Sequence, residues 1–150
     1  MRRRETWIAL AFLLLALPFR SEFACKRYDF AQERWIRLDT KAGDLEVQDV
    51  IFQFPSYVGP RKLNVKGRNM ATINVKNYGT QRLRVHIAVA LFDASGNLVG
   101  CGTTGSKLGS TKPSETESFF VAFDYVNSQL STAQVFYLTN DQGLARDLYD

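Results

Sequence analysis

From Leu45 onward apolar and polar residues alternate with a period of two, the spacing of a half-buried β-strand whose successive side chains point to opposite faces. Leu45 to Phe54 is the first such run, and "PSYVGPRK" breaks it with Pro55, Gly59 and Pro60. The loop that follows extends to about Arg68. Ala71, Ile73 and Val75 then form an inward row with Thr72, Asn74 and Lys76 outward, and "NYGT" at Asn77 to Thr80 reads as the turn into a hairpin partner. That partner carries Leu83, Val85, Ile87, Val89 and Leu91 on one face and Arg84, His86, Ala88, Ala90 and Phe92 on the other. Leu98 and Val99 open a return strand through Cys101 to about Thr104, and "TESFFVAFD" and "AQVFYLT" supply two more short apolar runs. Six strands separated by turns, with no helical period outside the N-terminal run, predict an all-β, immunoglobulin-like antiparallel β-sandwich of about six or seven strands.

The N-terminal residues follow a different rule. "MRRRETWIALAFLLLALPFRSEFA" has a basic start, an uncharged run from Trp7 to Phe19 and a short polar stretch ending in Ala24, the build of a secretory signal. Arg20 ends the run short of the roughly 20 apolar residues a spanning helix requires, and an uncleaved anchor is the alternative. The chain therefore divides into a signal segment 1–24, a lead-in 25–44 and a sandwich 45–150. The lead-in mixes charges with Tyr28, Phe30, Trp35, Ile36 and Leu38 and has no long clean period.

Composition narrows the job more than it names it. The 150 residues are 45% hydrophobic and 23% charged, which is globular rather than disordered. Of the formal net charge of +4, the first 24 residues carry +2, so the remainder has no basic stripe for nucleic acid. Export permits a disulfide between the two cysteines, Cys25 and Cys101. An unpaired Cys101 and a lipidated Cys25, which would tether the domain to a membrane, are the alternatives.

The polar corner "DASGN" has a structural reason at each position: Asp93 can accept backbone N–H bonds two residues on, Gly96 can take a positive φ, and Asn97 closes the turn. It does not have the ligand spacing of a calcium loop. His86 is the only histidine and alternates outward beside Arg84, with no local nucleophile signature such as G-x-S-x-G. Glu115 and Glu117 share a strand face and read as solvated. Arg61, Lys62, Lys66 and Arg68 form the best basic cluster of the mature chain and are a candidate contact for anionic glycan or lipid head groups. No catalytic residue, metal site or cofactor site is indicated.

"VALFD", Val89 to Asp93, followed by "ASGNLVG", is similar to the signature of the FxLYD family of bacterial and archaeal cell-envelope domains. Val89 stands where the family has an aromatic and Phe92 where it has Tyr. "KGRNMATINVKNYGTQRL" resembles the family's preceding strand and turn, and "TKPSETESFFV" its Pro-Gly-Glu lead-in with Ser114 in place of Gly. The likeness covers about Val65 to Leu138 and implies an immunoglobulin-like accessory module without catalysis.

The function these readings predict is a non-catalytic exported module that presents a surface to a protein or envelope partner. A carbohydrate-binding module is one alternative, with Tyr57, Tyr78 and Tyr149 as its exposed aromatics, and a hydrolase using His86 is another. The strands also contain a mismatch: Ala88, Ala90 and Phe92 back an inward row, and "FFVAF" and "VFYL" are apolar on both faces, so these strands call for cover on two sides. Docking of the lead-in aromatics there predicts a closed monomer, and otherwise the patch is a partner or dimer face.

Overall fold

The computed structural model describes residues 23–54, 69–106 and 110–144. The signal segment expected from the sequence, apart from Phe23 and Ala24, and the cluster Arg61, Lys62, Lys66 and Arg68 lie outside them, as do Tyr57 and Tyr149. The described chain is all-β, in nine strands: β1 Phe23–Asp29, β2 Ile36–Ala42, β3 Leu45–Gln53, β4 Met70–Asn77, β5 Leu83–Phe92, β6 Leu98–Gly105, β7 Thr116–Ala122, β8 Tyr125–Val126 and β9 Val135–Leu144. A five-stranded antiparallel sheet in the order β1-β9-β5-β6-β8 faces a four-stranded antiparallel sheet in the order β2-β3-β4-β7.

The six strands read from periodicity are all present, and the count exceeds the expected six or seven because the lead-in supplies β1 and β2 and a two-residue β8 pairs with β6. One pairing differs. β4 and β5 do not form a hairpin: β4 lies between β3 and β7, whereas β5 lies between β9 and β6 in the other sheet. The reason is Asn77, whose buried side chain donates to the carbonyls of Gln81 (2.8 Å) and Thr111 (3.0 Å) and accepts from Gly79 N–H (2.8 Å). These bonds satisfy the corner as the chain crosses from one sheet to the other.

The core lies between the sheets. Val85, Ile87, Val89 and Leu91 of β5 and Phe136 and Leu138 of β9 meet Val47, Val50 and Phe52 of β3 and Ala71, Ile73 and Val75 of β4, all at most 2% exposed. Lead-in aromatics enter from the side: Tyr28 stacks on Phe136 at 5.4 Å and Phe30 packs against Phe52 at 4.9 Å. They thus fill the interior and do not cover the outer faces, and Trp35 remains 53% exposed.

Edge strands β1 and β2 are clasped across the sandwich. Lys26 Nζ meets Asp39 Oδ2 at 2.8 Å, and the Tyr28 hydroxyl donates to Asp39 Oδ1 at 2.8 Å beside the Thr40 hydroxyl at 2.6 Å. The Lys26 hydrogen bond, with Tyr28 second, holds the Asp39 carboxyl below its ordinary range, and the same carboxylate raises Lys26. Burial raises the Tyr28 hydroxyl. A lysine turned toward the other sheet also makes the β1 edge a poor template for strand addition.

Candidate functional site

Outward residues of the five-stranded sheet fall into rows fixed by register. One row is Arg27, Tyr137, Ala90, Cys101 and Tyr125; the next is Cys25, Thr139, Ala88 and Thr103; a third is Phe23, Asp141, His86 and Gly105. Beyond the first row come Asp29, Val135, Phe92 and Leu98. The candidate face residues Ala88, Ala90 and Phe92 therefore stand along its central strand, each half-buried.

Small residues in mid-face and large ones around them leave two shallow grooves. One, of about 700 Å³, is floored by Ala90 and Cys25 and walled by Phe92, Tyr137, Arg27 and the Asp93 corner. Tyr137 is 41% exposed and holds Phe92 edge to face at 5.5 Å. The other, of about 640 Å³, is lined by His86, Ala88, Thr103, Ser106, Thr139 and Asp141 among others. It brings a histidine, a serine and a carboxylate to one groove, but no hydrogen bond joins the imidazole to either. Ser106 Oγ instead accepts from Val85 N–H at 3.1 Å.

The corner beside the first groove is a closed turn. Asp93 Oδ1 accepts from Ser95 and Asn97 N–H, both at 2.9 Å, Asn97 Nδ2 donates to Oδ2 at 3.1 Å, and Gly96 takes φ +80°. The Asn97 N–H bond and then its side-chain amide lower the Asp93 carboxyl from its ordinary value. Among the described residues no group of three His, Cys, Asp or Glu is placed to hold a metal ion.

The expected Cys25–Cys101 bridge is not made, and both cysteines are free. Cys25 lies on β1 and Cys101 on β6, three strand spacings apart in the same sheet, or roughly 14 Å, where a disulfide requires Cα atoms within about 7 Å. Tyr78 is exposed, with the ammonium groups of Lys76 and Lys41 5.0 and 5.5 Å from its ring centre. Glu115 pairs with Lys112 at 3.4 Å, and Glu117 accepts from the Thr111 hydroxyl at 2.7 Å.

Sequence reasoning found the β5 part of the face and, within the doubly apolar "VFYL", Tyr137, and missed Cys25 and Arg27 on β1 and Thr139 and Asp141 on β9. The β9 signal was available, because Phe136 and Leu138 alternate with Tyr137 and Thr139. β1 has no such signal, since its inward positions are Ala24, Lys26 and Tyr28. No protein-family model matches the chain, and no curated protein matches it.

Proposed function

We propose that this chain is a non-catalytic, exported cell-envelope module of immunoglobulin-like, FxLYD-like type that works by docking a partner on the outer face of its five-stranded sheet. The observation that carries the reading is that face itself. It is a continuous patch of Ala88, Ala90, Phe92, Val135 and Tyr137 on paired strands, bordered by charges and covered by no described segment. Faces of this build, apolar at the centre and polar at the rim, are the anatomy of a protein contact.

Export is supported by the basic and then apolar N-terminal sequence. The family resemblance gains support from Ser114, which sits at φ +63° after Pro113, in a turn where Glu115 N–H bonds to the Lys112 carbonyl at 3.2 Å. Its sequence pattern has Gly at that position, and a positive φ is what Gly accommodates.

A photo-cross-linking residue at Tyr137, compared with one at Phe120 on the outer face of the other sheet, tests the proposal in cells producing the full chain. Adducts from Tyr137 alone, with the chain recovered in the envelope fraction, are the expected result. Equal adducts from both positions, or none from either, would overturn it.

A further inference from the structure

We infer that the occupant of this face is a second copy of the same chain, packed sheet to sheet about a two-fold axis along β5; the inference rests on reading the face as a docking surface. Such an axis lays β9 over the partner's β6 and β1 over its β8 while each row stays opposite itself. The two sides of β5 are complementary in bulk under that operation. Tyr137 on β9 comes over Cys101 on β6, Asp141 over Gly105, and Thr139 over Thr103. At the middle of the axis Ala88 and Ala90 let the two sheets approach to the roughly 10 Å of a packed sandwich, and toward its ends His86 and Phe92 meet their own copies.

Charge and area agree with this occupant. The face carries Arg27 and Arg84 against Asp29 and Asp141, so it has no single-sign field to repel its own copy. Asp141 meets glycine, and Arg27 meets the exposed ring of Tyr125, a cation–π partner. The rotation of roughly 30° between aligned sheets swings the ends of β5 apart, so the Arg84 guanidiniums at the rim do not meet. The 7, 10, 10, 8 and 2 residues of β1, β9, β5, β6 and β8, at about 3.3 Å of rise and about 4.8 Å between strands, cover about 600 Å² in projection. Side-chain relief adds to this, bringing it close to the roughly 800 Å² that each partner of a stable pair buries.

The test uses the full chain with Cys25→Ser and Cys101→Ser, plus a single new thiol, Ala90→Cys, at the axis or Ser118→Cys on the other sheet, treated in cells with a short bis-maleimide. A product of twice the chain mass from Ala90→Cys, at least tenfold above Ser118→Cys, is the expected result. Thr103→Arg, exposed in the single copy and facing Thr139 across the axis, should abolish that product with the melting temperature unchanged. Equal cross-linking from both thiols, or a dimer that survives Thr103→Arg, would overturn the inference. Capture of a different protein from Ala90→Cys would overturn the second copy while leaving the docking face standing, and no product from the face at all would sink both.

Discussion

Phe52 joins the lead-in to the rest of the core, so removing its ring measures how far the fold depends on that segment. Its ring is fully buried, and its centroid lies 4.9 Å from Phe30, 5.0 Å from Phe136, 6.1 Å from Phe54 and 6.2 Å from Phe123. It sits on β3, held by a strand on either side, so the backbone has little freedom to collapse into the space left behind. Phe52→Ala should therefore fall in the upper part of the roughly 3–5 kcal/mol typical of Phe→Ala in a core. Phe30→Ala, at a half-buried position, should lose about 2 kcal/mol. If the two rings form one packed unit, the double variant should lose less than the sum of the singles by about 0.5–1.5 kcal/mol. Urea unfolding of the four proteins in a common stabilising osmolyte, followed by Trp fluorescence, gives the cycle. A loss below about 2 kcal/mol for Phe52→Ala, or additivity within about 0.3 kcal/mol, would show that the lead-in does not pack on the core as described.

Ser114→Gly should stabilise the domain by about 0.5–1 kcal/mol, because it relieves a positive φ at a net gain over the entropy of glycine; no rise in the urea midpoint would contradict the turn geometry. Gly102→Val should destabilise by roughly 1–3 kcal/mol, since a Cβ there would run into the Ala122 carbonyl of β7, and an unchanged melting temperature would refute that close approach. The Asp39 clasp sets a pH dependence: a carboxyl lowered in the fold contributes stability above its unfolded value near 4 that is lost as pH falls through the folded value. Lys26, raised in the fold, contributes below its ordinary value of 10.5 and loses that contribution as pH rises through its folded value. Asp39→Asn should accordingly flatten the acid limb of a thermal-melt series, and an unaltered limb would count against the clasp. The exposed Cys25 should react with maleimide in the folded protein well before Cys101, whereas an intact mass two daltons short of the free-thiol value would restore the disulfide.

From the sequence alone β3 to β7 and β9 were legible as strands, and β4 and β5 with their inward rows as well, because burial on one side of a pleated strand imposes a period of two; β3 hides its row behind a bulge between Val47 and Asp49. The Asp93–Gly96–Asn97 corner was equally legible, since its bonds run between residues at most four apart. β2 escaped notice because its inward row ends in Thr40 and Ala42, which bury fully without standing out as apolar. β1 escaped because its core-side positions, Ala24, Lys26 and Tyr28, make no apolar row, and Lys26 stays exposed where it pairs with Asp39 at the sandwich edge. Which strands pair was decided only in three dimensions. "NYGT" suits a hairpin and a sheet-to-sheet crossing alike, and the crossing is selected by Asn77 reaching the Thr111 carbonyl 34 residues away. The cysteines show the same limit, for their count permitted a bridge while strand order holds them apart. The open face is a tertiary product too: its flanks come from opposite ends of the chain, and no described segment covers it, because the lead-in aromatics Tyr28 and Phe30 pack, partly buried, against the core instead.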